Sequence, residues 1–397
     1  MAMTISDLPE DLQREIVCRV TQKDMRAVRL TCKTWDTLWK SERFRKMHMC
    51  NEEAAREEGE SRVIALIDWN LHLISVVVDD VDHPSTEIKG KLSCLDDQQQ
   101  RQQENIMKVC HCDGLLLCAL KDSFRLLVLN PFLRQTRWIE PPSFSFPCLS
   151  DRYVYDCYRY ALGYDYNKNS HKILRFMEVK MWLRTGHLFC YEIYEIYGFD
   201  SNSWKTLDVG TPHWSITNHK DCVPLKGNTY WLATLHRNSY CQYDGLVCFD
   251  FTNERFGPVL PLPPDEDDLL VKYAVLSRLR GDKLALLLKF HQPTVDEIWV
   301  TTVIDPSQVS WSKFLILDRR PGVPELFWEL FPIGFFIDEE KKVAMVLDSK
   351  GKLSIFGEDG FFRQVDLPVH PLHPSTNNYH QVCFLYTPSL VQIHKSL

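Results

Sequence analysis

The feature that most limits what this chain can become is a hairpin that returns five times. An apolar strand runs into an Asn, Asp or Gly turn, and a second strand opens near an aromatic residue. The copies are LVLNPFLRQTRWIE (turn at Asn130, aromatic Trp138), YGFDSNSWKTL (Asp200, Trp204), LVCFDFTNERFGP (Asp250, Phe256), TVIDPSQVSWSKFL (Asp305, Trp311) and LSIFGEDGFFRQV (Gly357, Phe361). Turn residues of these types between apolar runs mark antiparallel strands. They lie 70, 50, 55 and 52 positions apart, and the first interval has room for an inserted hairpin. Upstream strands entered by turns complete the pattern: Asp113 and Gly114 before LLLCA, Gly227 and Asn228 before TYWLA, Gly281 and Asp282 before KLALLL.

A unit of about fifty residues with three or four strands has the size of a β-propeller blade, and residues 61–397 hold roughly six of them. A lone blade exposes two faces and two edges. Radial packing buries the faces against neighbours and leaves only short protected edges. The recurring Trp and Phe side chains are then expected to fill the wedges between blades. A pair of β-sandwiches is the competing all-β arrangement, because the period is irregular. Neither the diglycine of kelch repeats nor a Trp-Asp dipeptide marks these units.

At 397 residues the chain exceeds one compact core, so two domains, or one built by repetition, are expected. A composition of 45% apolar, 25% charged and 12% aromatic residues is that of a globular protein and excludes general disorder. The longest clean apolar runs, near 115–120 and 284–288, fall far short of the roughly 18 residues a membrane span needs. A net charge of −7 argues against a dedicated nucleic-acid binder. The opening MAMTISDLPEDLQRE has acids where a secretory signal needs a basic end. The 14 cysteines are therefore expected to be reduced, mostly small core hydrophobes, in a protein that is cytoplasmic and/or nuclear and not secreted.

Residues 1–50 follow a helical period instead. Asp7 suits an N-cap and Pro9 a first turn, and Leu12, Ile16 and Val20 fall on one stripe. Asp24 starts a second helix with Met25, Val28 and Cys32; Trp35, Leu38 and Trp39 follow, and Ser41 starts a last turn with Phe44. A small all-α unit of about three helices is expected. It carries more apolar side chain than it can hide alone, so part must pack on the following domain or on another protein. Residues 51–60 (NEEAAREEGE) read as a charged linker, and 96–105 (DDQQQRQQEN) as a polar surface loop.

The string DLPEDLQREIVCRV, followed by VRLTCKTWDTLWKSERF, resembles the F-box. Leu8, Pro9, Asp11, Leu12, Ile16, Val17, Arg29, Cys32, Lys33, Trp35 and Phe44 fall at its motif positions. Thr31 stands where that pattern usually has an apolar residue, and the segment at 21–23 lacks the usual Pro. CDGLLLC, NPFLRQTRWIEP, YALGYD, LKGNTYWLA, FDFTNERFGP, VSWSKFL, FFIDEEKKVAMV and PSLVQI are similar, in order and spacing, to the F-box-associated domain of plant F-box proteins. This second resemblance spans nearly all of 105–395.

Together the resemblances imply an F-box at 1–50 and a kelch-like β-propeller at 61–397. They imply the substrate-recognition subunit of an SCF-type ubiquitin ligase. It would dock on a Skp-type adaptor, and through it on cullin and RING subunits, by Leu8, Pro9, Leu12, Ile16, Val20, Leu30 and Trp35. The β-domain would hold a target protein for ubiquitination, with no catalytic residue and no cofactor of its own. Two other readings stand beside it: a propeller enzyme or carbohydrate-binding module with a helical cap, and an F-box-like protein working outside a ligase. An enzyme would gather His, Asp, Glu or Tyr at the central channel.

Motifs for chemistry are sparse. No G-x-S-x-G elbow, phosphate-binding G-x-x-x-x-G-K-[ST] loop or H-E-x-x-H is present. Cys110, His111 and Cys112, with Cys118 nearby, come closest to a metal set. On a strand the two cysteines share a face and His111 points the other way, so buried thiols and no metal are expected. The Tyr and His residues of 153–171 read as strand and turn positions, and the acidic run at 265–268 (DEDD) as a solvated loop rather than a Ca²⁺ site.

Overall fold

The computed structural model describes residues 60–393 except 68, 78–84, 93–105, 122–124, 134, 143–157, 183–187, 211, 217–221, 236–242, 265–270, 280–281, 291–294, 319–331, 349–350, 368–381 and 390. The three expected N-terminal helices, the loop at 96–105, the acidic run at 265–268 and the expected linker, apart from Glu60, which opens the first strand, lie outside the described residues.

The described residues form six antiparallel sheets, the blades of a propeller. Blade I contains β1 (Glu60–Ile67), β2 (Asn70–Val77) and β3 (Ser85–Lys91). Blade II contains β4 (Ile106–Cys112), β5 (Leu115–Leu120), β6 (Leu126–Asn130) and β7 (Gln135–Ile139). Blade III contains β8 (Tyr158–Asp165), β9 (Ser170–Trp182), β10 (Leu188–Gly198) and β11 (Ser203–Thr206). Blade IV has an inner strand in two pieces, β12 (Trp214–Ile216) and β13 (Val223–Leu225), both paired with β14 (Asn228–Leu235). Beyond it lie β15 (Gly245–Asp250) and a divided outer strand, β16 (Arg255–Phe256) and β17 (Leu260–Pro261). Blade V contains β18 (Val271–Leu279), β19 (Lys283–Phe290), β20 (Val295–Asp305) and β21 (Gln308–Asp318). Blade VI contains β22 (Pro332–Asp338), β23 (Val343–Asp348), β24 (Lys352–Gly357) and β25 (Phe362–Asp366).

The ring closes with the end of the chain. β26 (Val382–Leu385) pairs antiparallel with β1, from Val63 opposite Leu385 to Leu66 opposite Val382, and becomes the inner strand of blade I. The last strand of the propeller thereby completes the sheet that holds the first, which removes the open edges a linear array would leave.

Six apolar clusters occupy the six wedges between neighbouring blades. On β5, Leu116 and Cys118 join the cluster between blades I and II, while Leu115, Leu117 and Ala119 join that between II and III. Every residue of this strand is buried, because a blade is covered on both faces. That explains the unbroken run LLLCAL where a one-sided sheet would alternate. A fully buried Leu contributes roughly 1.5–3 kcal/mol, so these two-sided strands supply much of the stability.

The recurring aromatics fill the wedges as expected. Trp138, Trp204, Phe256 and Trp311, on the outer strands of blades II to V, each pack on the cluster shared with the preceding blade. Blade VI departs from this. Phe361 packs in the wedge towards blade I, and Phe362 faces blade V, opposite Phe356 with ring centres 5.1 Å apart. The 3₁₀ turn Glu358–Gly360 joins the two strands, and Phe362, the second Phe of the pair, takes the ladder position opposite Phe356.

Candidate interaction site

Antiparallel strand order assigns the connections of a blade alternately to two ends of the propeller. The five sequence-predicted turns at Asn130, Asp200, Asp250, Asp305 and Gly357 all join third to fourth strands. They share one end with the first-to-second turns. Asp113, Asn169, Asn202, Lys226, Glu254, Asp282 and Lys342 of these turns all have φ between 48° and 62°. Such left-handed positions make short turns, so this end is closely trimmed. The fourth strand of a blade finishes at the opposite end, where the first strand of the next begins, and the stretches of sequence between them are longer than these turns. Long connections on a rigid ring can vary without disturbing the wedges.

The mouth of the channel at the turn end gathers polar groups from three blades. His111, on β4, stacks on Phe384 of β26 with ring centres 4.2 Å apart. Burial, aided by Arg278 of β18, lowers its pKa to about 3, so the imidazole is neutral at physiological pH. Asp113 follows in the β4–β5 turn, with Oδ2 3.3 Å from Nε2 of His171 on β9. Desolvation raises the Asp113 carboxyl, but His171, Arg278 and the Cys112 thiol outweigh it and hold it below its ordinary value. Burial, and after it the Asp113 charge, push the Cys112 thiol well above its ordinary value. These groups fix turns and blades relative to one another.

Two buried charge networks lie deeper. Lys172 reaches Asp165 at 2.5 Å, Glu254 at 2.6 Å and the Phe251 carbonyl at 3.1 Å. Lys205 also contacts Glu254, so the network ties blade III to the turn of blade IV. Arg175 donates from Nε to Glu195 at 2.8 Å and lies over the rings of Tyr158 and Trp204. Every partner belongs to the same pair of wedges, a scaffold arrangement.

Sequence comparison decides what kind of propeller this is. A family model described as the F-box associated beta propeller domain matches residues 62–393. This chain belongs to the F-box-associated β-propeller family. An F-box domain model matches residues 5–47 ahead of it. An F-box/kelch-repeat protein of Arabidopsis thaliana is 46% identical over 413 residues, covering 98% of this chain and 90% of the relative. Two further Arabidopsis thaliana F-box proteins are each 42% identical, covering all of this chain and 92% and 97% of theirs. The chain is thus a plant F-box protein with a C-terminal F-box-associated propeller, as the two resemblances implied.

The F-box residues expected to meet an adaptor, Leu8, Pro9, Leu12, Ile16, Val20, Leu30 and Trp35, lie outside the described residues. In the F-box-associated propeller, Cys110 and Cys112 sit together in the wedge between blades II and III, and Cys118 in that between I and II. The Cys110 thiol donates to the Tyr160 carbonyl at 3.0 Å. Tyr158, Tyr160 and His171 are buried strand residues; Tyr166, in the turn, is 52% exposed. The nearness of His171 to Cys112 and Asp113 had no sequence signal, because 58 residues separate Asp113 from His171 and only the docking of blade III on blade II joins them.

Proposed function

We propose that this protein is the substrate-recognition subunit of an SCF-type ubiquitin ligase. The observation that carries the reading is the pairing of an F-box match at 5–47 with an F-box-associated propeller match at 62–393 in one chain. In this reading the F-box docks on a Skp-type adaptor through Leu8, Pro9, Leu12, Ile16, Val20, Leu30 and Trp35. Apolar anchors at the centre of such an interface contribute about 1–3 kcal/mol each. The propeller holds a target protein on the end that carries the long connections. The chain supplies proximity and orientation, while cullin and RING subunits bring the charged conjugating enzyme. It is not itself an enzyme, and it works in the cytoplasm, the nucleus or both.

Co-expression with a Skp-type adaptor tests this. A stable one-to-one complex that is lost in Leu8→Asp and in Trp35→Asp is the expected result. A well-behaved monomer that ignores the adaptor overturns it and favours an F-box-like protein working outside a ligase.

A further inference from the structure

We infer that Cys112, Asp113 and His171 form a binding site for a divalent metal ion of the zinc class, where blades II and III meet at the turn end of the channel. One donor atom from each residue lies within 4.8 Å of the other two. His171 is only 6% exposed, and its Nε2 is buried without a hydrogen-bond partner although Asp113 Oδ2 is 3.3 Å away. A cation between imidazole and carboxylate would take up the lone pairs of both. The ring is held in place for this: Tyr164 and Phe199 pack edge-on against it, with centres at 5.0 and 6.3 Å.

The donor set selects the ion. A thiolate with an imidazole and one carboxylate suits Zn²⁺, whereas Ca²⁺ and Mg²⁺ require oxygen donors throughout. Tetrahedral Zn²⁺, with bonds of roughly 2.0–2.3 Å, places its ligand atoms about 3.5 Å apart. The His171–Asp113 pair already meets that spacing, and the thiol lies within 4.8 Å of both. On binding, the Cys112 S–H bond breaks, its proton passes to water, and the sulfur electron pair forms the S–Zn bond. His171 and Asp113 each donate a lone pair, and no oxidation state changes. Arg278 opposes the cation, but it is partly exposed and pairs with Asp282 at 3.7 Å, which weakens its field.

Three protein ligands leave a fourth position for water or for a side chain of a bound partner, since Asp113 is 42% exposed at the mouth. The ion would clamp the first turn of blade II to the second strand of blade III. This site stands independently of the ligase reading.

The test is cobalt titration of the full chain after chelator treatment. One equivalent is expected to give a thiolate-to-cobalt charge-transfer band and tetrahedral visible bands. Cys112→Ser is expected to abolish the charge-transfer band. His171→Phe, which keeps an aromatic ring between Tyr164 and Phe199, is expected to weaken binding more than about tenfold. Zn²⁺ is expected to raise Tm of the wild type and leave that of His171→Phe unchanged. If His171→Phe does not fold, Asp113→Asn in the β4–β5 turn carries the identical comparison. A chain with no saturable cobalt spectrum overturns the inference. So does a spectrum that survives these substitutions, which would place the metal on other cysteines.

Discussion

Asn130 shows how much one side chain can hold. It ends β6 as a turn residue and is 0% exposed. Its Nδ2 donates to the carbonyls of Ser389 at 2.8 Å and Val391 at 2.9 Å, and its Oδ1 accepts from the Leu133 amide at 3.0 Å. Asn130→Ala removes these three hydrogen bonds to backbone groups. It is expected to cost about 2–4 kcal/mol in urea unfolding, with m unchanged. Gly114 is as constrained: φ is +72°, and an added Cβ would lie 2.4 Å from Ser389 Cβ and 2.6 Å from the Thr387 carbonyl. The Lys172 network makes a pH prediction. Desolvation works against all three charges, yet the ion pairs dominate, so Asp165 and Glu254 titrate below their ordinary values and Lys172 above its own. Lowered carboxylates stabilise above their unfolded pKa and lose that contribution as pH falls; a raised lysine stabilises below its unfolded pKa and loses it as pH rises. The stability gap between wild type and Lys172→Met is therefore expected to be widest between the unfolded values of 4.5 and 10.5, and to narrow outside them. Urea unfolding of both proteins at a series of pH values reads that gap directly.

The element that defines each blade is its outer strand with an aromatic turned into the wedge. Phe256 is the extreme case. Its ring lies 4.9 Å from Phe249 and from Trp214, and 5.8 Å from Tyr194, so a two-residue strand anchors the wedge between blades III and IV. Phe256→Ala is expected to cost about 3–4 kcal/mol, seen as a lower urea midpoint, and Phe256→Leu less than half of that. The spacing of these aromatics was legible in the sequence because each follows a turn that the local residues dictate. Their exact facing was not. Phe361 and Phe362 are adjacent, and only the register after the 3₁₀ turn decides which one enters which wedge.

For the whole molecule, closure is the decisive event. β26 gives blade I its inner strand, and Ser389, Val391 and Ile393 beyond it bond to Asn130 and Gln135 of blade II. There Gln135 donates to Gln392 at 2.7 Å and accepts from the Ile393 amide at 2.9 Å, while Ile393 enters the wedge between blades II and III. A chain ending at residue 381 leaves β1 with an open edge and the ring unlatched. Thermal unfolding of that truncation is expected at least about 10 °C lower, with aggregation through the exposed edge. The proposed recognition end has the same logic: wedges set the positions of the strands, and the long connections ride on them.

By itself the sequence determined the local chemistry: turn residues, two-sided apolar strands, their repetition near fifty residues, and an F-box motif ahead of them. These are encoded within a few neighbouring positions, where backbone preference and hydrophobic period act directly. Only the tertiary structure decided which distant groups meet. The pairing of β26 with β1, the grip of Asn130 on the chain's last residues, and the convergence of Cys112, Asp113 and His171 all arise from docking one blade on another. Such contacts join residues tens to hundreds of positions apart, and no short-range preference specifies them.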